Sequence, residues 1–266
     1  MIGSLPKALV SANSAITTGL NQLSSGQRIT SAAVDPAGSQ IASQLAAQIS
    51  STGAALSSIS DASSLAQTAG GALGQVSDVL QQMRELAVQA GNGSYSASDR
   101  QALQAQFNQL SSSLDDVSSQ SQFNGQNLMN GTFSTSIPLG PNSGQVLNLS
   151  LGDTSSSALG MADQNISTAS GATSALSAID QALTNVNAQQ ASVGSALSTL
   201  DATTANLSTS SLNLSSTVSG VVDINMAQVS SNLASATLKQ QVAIQAIKLY
   251  NANQSQILAF IAPLSK

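Results

Sequence analysis

The sequence predicts a mainly α-helical chain, a long coiled-coil rod with a small β-hairpin region. Three observations predict it. The first is a seven-residue rhythm that starts at Leu176. Its seam runs through Ile179, Leu183, Val186, Gln190, Val193, Leu197, Leu200, Thr204, Leu207, Ser211, Leu214 and Val218. The steps alternate three and four, the a/d pattern of a coiled coil rather than the wider stripe of a surface helix. At 1.5 Å per residue that helix would be roughly 65 Å long, and it needs partner helices to bury its seam. The second observation is composition. Aromatic residues are 2% and charged residues 7% of the 266, against a usual charged share of about 25%. Ala, Leu, Val and Ile must therefore fill the core between closely approaching helices. The third is a change of pattern between Phe123 and about Asp163, where Gly and Pro recur and helical phasing stops.

Taken in order, the first segment carries Ile2, Leu5, Leu9, Ala12, Ile16, Gly19 and Leu23 at coiled-coil spacing and halts at Ser24-Ser25-Gly26. Residues 27–38 contain Asp35-Pro36-Ala37-Gly38 and read as a non-helical connector, because proline disfavours helix for the residue before it. A second helix runs from about 37 to 91, phased by Ala69, Leu73, Val76, Leu80, Met83, Ala87 and Ala90, with Gly70-Gly71 inside it. Gly91-Asn92-Gly93-Ser94 ends it, and Ser98 reads as the N-cap of a third helix carrying Leu103, Phe107, Leu110, Leu114 and Val117. Between 123 and 163 apolar and polar residues alternate through Val146, (Leu147), Asn148, Leu149, Ser150 and Leu151, with a turn at Pro141-Asn142-Ser143-Gly144. The long heptad helix follows, and Gly220 interrupts its rhythm. A last helix resumes it through Val222, Met226, Val229, Leu233, Ala236, Gln240, Ala243, Ile247, Tyr250, Gln254, Ile257, Ile261 and Leu264. A second apolar face runs beside that seam through Leu238, Val242, Leu249 and Phe260. Two apolar faces on one helix imply burial on two sides, and contact between subunits supplies the second.

Composition also excludes functions. The net charge is −5, from twelve acidic and seven basic residues, so no basic stripe attracts a nucleic-acid backbone. Without Cys or His there is no disulfide frame, thiolate metal site, imidazole ligand or general-base histidine. No metal, cofactor or catalytic constellation is expected, and the reading is not that of an enzyme. Asp115-Asp116 is the only adjacent acidic pair; neighbours on a helix diverge, so it reads as a solvated face. No apolar run is long enough to insert in a membrane, and the N-terminus does not read as a cleaved secretory signal. Seven Asn-x-Ser/Thr triplets occur, several on predicted seams, and read as chance in a chain rich in Asn and Ser. Arg84 and Glu85 are two of few charges on the second helix. They read as a solvated face, an internal pair, or an ion pair between subunits.

Three motifs carry a resemblance. Leu23-Ser24-Ser25-Gly26-Gln27-Arg28-Ile29-Thr30-Ser31-Ala32-Ala33-Val34-Asp35-Pro36-Ala37-Gly38 resembles the bacterial flagellin signature LSSGxRIxSAxDDxAG, departing at Val34 and Pro36. Met83-Arg84-Glu85-Leu86-Ala87-Val88-Gln89-Ala90 with Asn92-Gly93, and Ser121-Gln122-Phe123-Asn124-Gly125, fit the same family in order and spacing. The stretch from Asp223 to Leu264 is similar to the flagellin tail in length and amphipathicity. The segment before Leu23 is shorter than is usual in the family, and the tail ends Ala262-Pro263-Leu264-Ser265-Lys266 where members commonly end Leu-Leu-Arg.

The resemblance implies a secreted, extracellular subunit that polymerises with many copies of itself into the flagellar filament. Its implied partners are the flagellar cap and junction proteins, an export chaperone and the flagellar type III export apparatus. It implies five regions: 1–36, inner-tube helix and connector; 37–122, outer-tube helices; 123–171, the β-hairpin region with a remnant of the family's variable region; 172–220, the long outer-tube helix; and 221–266, the C-terminal inner-tube helix. Projecting outer domains are absent, with Asn165 to Ala172 the only stretch left for the variable region. Residues expected at subunit contacts are Leu5, Leu9, Ile16, Leu23, Arg84, Glu85, Val229, Leu233, Ile247, Ile257 and Ile261. The positions equivalent to the family's patch for an innate-immune Toll-like receptor are Gln82, Leu86 and Gln106. Neutral amides at 82 and 106, where the family commonly has Arg and Glu, imply weak recognition. Two other readings are a hook–filament junction protein and a secreted coiled-coil adhesin or translocator.

Overall fold

The computed structural model describes residues 4–261, and their side chains from 6 to 257. Five helices and two strand pairs follow one another: α1 (Ser4–Ser25), α2 (Pro36–Gly91), α3 (Ala97–Gln120), β1 (Gln122–Phe123), β2 (Gln126–Asn127), β3 (Ser134–Pro138), β4 (Val146–Ser150), α4 (Ala169–Val222) and α5 (Met226–Ile261). The chain forms two compact units. One comprises residues 1–49 with 212–266, the other residues 50–211.

In the second unit the buried residues of α2 are Thr52, Ala55, Ile59, Ala62, Ala66, Ala69, Ala72, Leu73, Val76, Leu80, Met83, Ala87 and Ala90. Apart from Ala72 they step by three and four without a break, so the predicted phase holds and extends back by more than two heptads. Gly70 and Gly71 stay helical. Gly70 sits so close to α4 that an added Cβ would lie 3.7 Å from Val193. On α4 the phase is shifted. Ile179, Val186, Val193 and Leu200 are buried as expected, but their companions are Ala175, Ala182 and Ala196 rather than Leu176, Leu183 and Leu197, which are only half-buried. Where two helix backbones approach closely, alanine fills the tightest position and the larger leucine is displaced to the flank. The rhythm of the sequence, weighted by bulk, picked the flank. Gly220 likewise does not end the helix, which runs on to Val222.

The third helix begins slightly earlier than the sequence suggested. Ser96, not Ser98, is the N-cap: its Oγ accepts from Asp99 N–H at 3.2 Å, and Asp99 Oδ2 accepts from Ser96 N–H at 3.0 Å and Ser96 Oγ at 2.7 Å. Reciprocal hydrogen bonding of this kind satisfies two orphan donors at once. Ser96 has a carboxylate to return the bond, whereas Ser98 would have only the neutral Gln101 in the same relative position. Hydrogen bonds from the Ser96 side chain, then from its backbone, hold the Asp99 carboxyl below the usual carboxylate range. A lowered pKa means the capping contribution is complete above the unfolded value of about 3.9 and is lost as pH falls through the lower folded value. Amide exchange at residues 96–100, corrected for intrinsic rate, should therefore be flat from neutral pH to about pH 4 and accelerate only below it. Acceleration already at pH 5 would contradict the capping geometry.

The β region has two hairpins where one was expected. Phe123 pairs with Gln126 around Asn124-Gly125, both with positive φ (50° and 78°), the preference of a two-residue primed turn. The second hairpin pairs β3 with β4 from Ser134↔Ser150 to Pro138↔Val146, with the turn at 139–145. Leu147, Leu149 and Leu151 face the core side together with Ile137, whereas Val146 is exposed. The row is therefore one residue out of register with an alternation begun at Val146. The stretch assigned to a variable-region remnant is pinned. Gln104 on α3 accepts from Ile166 N–H and donates to Gln164 C=O at 3.1 Å, and Ile166 is buried. Asp115, expected to be merely solvated, accepts from both N–H and Oγ of Ser156, at 2.8 and 2.9 Å. Ile166 joins Phe107 in one continuous apolar core.

In the first unit α1 and α5 pack against each other. The buried points are small: Ala12 and Gly19 on α1, Ala236 and Ala243 on α5. A Cβ on Gly19 would touch Leu233 at 3.5 Å, and Gln240 Nε2 donates to Asn13 Oδ1 at 2.7 Å. Leu9, Ile16, Leu23, Val229, Leu233 and Ile247 are half-buried along the same contact. The side chains of Leu5 and Ile261 lie outside the described residues, as do those of Phe260 and Leu264.

Candidate assembly site and connector latch

Two features of the first unit carry the functional reading. The first is the uncovered side of α5. Leu238 (61%), Val242 (60%), Leu249 (66%) and Ile257 (58%) are exposed, while the opposite side of the helix is occupied by α1. Three of these are the second apolar face expected from sequence. Ile257 was assigned to the seam, but it is exposed. A groove between α1 and α5, lined by Ala12, Ala15, Ala236, Leu238, Val242 and Ala243, opens on the same side. It is apolar apart from Lys239 and a few Ser and Asn side chains.

The second feature is the segment between α1 and α2, where the signature motif lies. Gly26, with φ of 70°, ends α1 by turning its N–H onto Gln22 C=O at 2.9 Å, the left-handed closure that glycine adopts at no steric cost. Arg28 then reaches the end of α4. Its backbone N–H donates to Val222 C=O and its Nη2 to Val221 C=O, both at 2.6 Å, while Nη1 lies 3.5 Å from Asp35 Oδ2. A guanidinium at a helix C-terminus satisfies orphan carbonyls and opposes the negative end of the dipole. Ile224 N–H returns the contact to Gly26 C=O at 3.2 Å, and Gln22 Nε2 donates to Arg28 C=O at 2.8 Å. Asp35 caps α2 through Gly38 N–H at 2.9 Å, and Pro36 stands at the first helical position, where its missing N–H costs nothing. The departure from the family pattern at Pro36 thus suits the structure. Nothing in the structure explains Val34, which is exposed.

Gly38 is the tight point of this latch. An added Cβ would lie 2.5 Å from Asp35 Oδ2 and 2.5 Å from Ile29 Cδ1. Asp35 is committed to capping and to Arg28, and Ile29 is the buried anchor of the connector. Gly38→Ala should therefore displace one of them, costing about 1–3 kcal/mol as an overpacking change. The expected readout is faster amide exchange across 28–39 with residues 97–120 unaffected; wild-type protection throughout would show that the latch is slack.

The remaining residues singled out from the sequence lie in the second unit. Arg84 Nε pairs with Asp180 Oδ1 of the same chain at 2.9 Å, with both side chains half exposed, and Glu85 accepts from Gln89 Nε2 at 3.4 Å. The internal partner of Arg84 is thus on α4, a pairing worth about 0–1 kcal/mol at such exposure. Gln82, Leu86 and Gln106 come together on one shallow depression between α2 and α3, with Glu85, Gln109 and Leu110. All seven triplet asparagines are exposed, including those placed on seams by the sequence. Sequence reasoning missed the Arg28 contacts, which include a carbonyl 193 positions away. It also missed the Asp115 clasp. The only legible signal for the first was a lone cation in the connector.

Among the described residues no group of His, Cys, Asp or Glu could hold a metal ion, and no helix is long and apolar enough to cross a membrane. A paired N- and C-terminal helix with one uncovered apolar face, in a chain of long alanine-rich helices, defines a helical structural subunit. Residues 4–134 match the family model described as bacterial flagellin N-terminal helical region, and residues 176–261 that of the bacterial flagellin C-terminal helical region. The flagellin of Halalkalibacterium halodurans is 36% identical over 238 residues, covering 88% of this chain and 87% of that protein. Flagellin FlaB1 of Treponema pallidum (strain Nichols) is 29% identical over 266 residues, 94% and 93% of the two chains. The crystal structure of Bacillus cereus flagellin is similar over 56% of this chain and 86% of its own, with a TM-score of 0.52 and 31% identity. The chain belongs to the bacterial flagellin family and is a structural subunit of the flagellar filament. No projecting outer domain is evident: residues between the two matched regions form the β3–β4 hairpin and the turns clasped by Asp115 and Gln104.

Proposed function

We propose that the chain is exported through the flagellar type III apparatus with its chaperone and polymerises by burying the open side of α5, with the α1–α5 groove, against neighbouring copies. The observation that carries this reading is the row Leu238, Val242 and Leu249, more than half exposed on the side of α5 away from α1, with Ile257 also exposed further along the helix. Apolar rows of this kind mark protein contact sites. In this reading 1–36 and 221–266 form the inner layer of the filament and 37–122, 123–171 and 172–220 the outer layer. Cap and junction proteins meet the same terminal helices at the filament ends. Leu5 and Ile261 extend the seam, and Arg84 and Glu85 stand on the outer-layer surface. Expression in a flagellin-null host tests the proposal: extracellular filaments and restored swimming are expected, and intracellular retention of a folded chain would refute the export part.

The depression holding Gln82, Leu86 and Gln106 supports weak signalling through the flagellin-reading Toll-like receptor. It offers an apolar leucine flanked by neutral amides at 82 and 106, with Glu85 the one charged group lining it, so neither 82 nor 106 supplies a charge-assisted hydrogen bond. Gln82→Arg with Gln106→Glu should raise activation in a reporter cell assay. Strong signalling by the unmodified protein would refute this assignment.

A further inference from the structure

We propose that Asn92 is a site of self-modification, converting to aspartyl and isoaspartyl residues through its own backbone, and that Arg100 steers the outcome. The sequence holds three Asn–Gly steps, at Asn92-Gly93, Asn124-Gly125 and Asn130-Gly131. A following glycine leaves its amide nitrogen open to attack the preceding side chain, so all three share the chemistry. The structure separates them. Asn124 and Gly125 are the two central residues of the β1–β2 hairpin, both locked at positive φ between the paired Phe123 and Gln126. Asn130 is bridged to Asp153, and Gly131 is pressed against it, an added Cβ meeting the Asp153 backbone nitrogen at 3.2 Å. Closing a five-membered ring requires the Asn–Gly peptide to swing, and in both places backbone pairing beside it resists that swing.

Asn92 lies in the turn between α2 and α3, where residues 91–99 are all exposed and a Cβ on Gly93 would touch nothing. As Thr132 N–H does to Asn130 Oδ1 at 3.1 Å, Ser94 N–H donates to Asn92 Oδ1 at 3.0 Å. This folds the carboxamide forward over the Gly93 peptide and supplies a donor to the oxygen on which negative charge develops. Proximity of this kind and a donor aimed at a developing oxyanion are the two standard sources of rate in acyl transfer.

The steps balance without an added reagent beyond water. The Gly93 amide gives its proton to hydroxide and its nitrogen bonds to Asn92 Cγ. The Cγ–Nδ2 bond breaks, and ammonia leaves with a proton from water, giving a cyclic imide. Water then opens the ring at one of two carbonyls. Opening at Cγ gives aspartate. Opening at the former backbone carbonyl gives isoaspartate, with the chain rerouted through the side chain. That backbone carbonyl accepts from Arg100 Nη2 at 3.1 Å and from Tyr95 N–H at 3.3 Å, while Arg100 Nε donates to Ala90 C=O at 2.8 Å. The cation polarises this carbonyl for attack and pairs with the carboxylate that forms on it, which favours the isoaspartyl product.

The test is incubation of the full chain in mildly alkaline buffer, followed by peptide mapping and labelling with an isoaspartyl methyltransferase. Native protein should convert at Asn92 several-fold faster than at Asn124 or Asn130. Denaturation should erase most of that difference, because it releases the two pinned sites. Gly93→Ala, which the open space tolerates, should slow conversion at Asn92 by at least about tenfold, since a side chain hinders the near-attack geometry. Arg100→Gln should lower the isoaspartyl share while leaving ammonia release nearly unchanged. Conversion at Asn124 or Asn130 outpacing Asn92 in native protein would overturn the site assignment. An unchanged product ratio in Arg100→Gln would overturn the role given to the arginine.

Discussion

Ile257→Asp should yield a protein that folds as well as the parent and does not form filaments. The side chain is 58% exposed on α5, so an aspartate there meets water in the free subunit and costs little. On the proposed assembly face the same carboxylate would be buried without a partner, a change that costs several kcal/mol per contact and is repeated in every subunit. At about 3 kcal/mol the critical concentration for polymerisation rises more than a hundredfold. Ile247→Asp makes a useful contrast. That position is half-buried against the chain's own α1, so its substitution should loosen the helix pair before assembly is reached. Circular dichroism of the monomer together with sedimentation of seeded protein separates the two cases. Normal filaments from Ile257→Asp would show that this side of α5 is not an assembly face.

Phe107→Ala should be the most destabilising single truncation in the second unit. Phe107 is fully buried in the core that α2, α3, the β region and α4 share. Phe133 is buried in the same core and Phe123 packs on it, so the void at 107 can close only if already packed neighbours move. Truncations of this type cost about 3–5 kcal/mol, which for a unit of this size lowers Tm by roughly 10 °C. Differential scanning calorimetry reads the effect. A loss below about 1 kcal/mol would mean that the surrounding alanine-rich helices collapse into the space.

The helices, their order and the face each buries on α2 and α3 were readable from spacing alone, because a strict three-and-four rhythm is compatible with little besides a packed helix. On α4 the same reasoning chose the leucines over the alanines. Bulk marks hydrophobicity in a sequence, whereas burial in a tight pair of helices favours the smallest side chain. The cap at Ser96 and the Asn124-Gly125 hairpin were legible in principle, since a serine three residues before Asp99 and an Asn–Gly step inside a short turn are both local signals. Arg28 was not legible in that way. Its role depends on two carbonyls near the far end of α4, and no local pattern announces which helix end an arginine will find. The same holds for Arg84 with Asp180, and for Asp115 with Ser156. The apolar side of α5 was anticipated, but a sequence pattern could not tell which of its two faces the chain itself covers.

The partnership of α1 with α5 also fixes an order of events. Asn13 and Gln240, joined across it, are 227 positions apart, so the contact is about as non-local as this chain permits. Contacts of such span form late, after the local helices between them. During synthesis or threading, α1 therefore waits through most of the chain without the helix that will cover it. Its makeup suits the wait: Leu9, Ile16 and Leu23 are spaced mainly by Ala, Ser, Thr and Asn, with Val10 and Leu20 the other large apolar residues between them, rather than set in a continuous apolar run. A stickier first helix would gain stability in the finished pair and lose it to premature association, so the modest seam of α1 serves timing as much as packing.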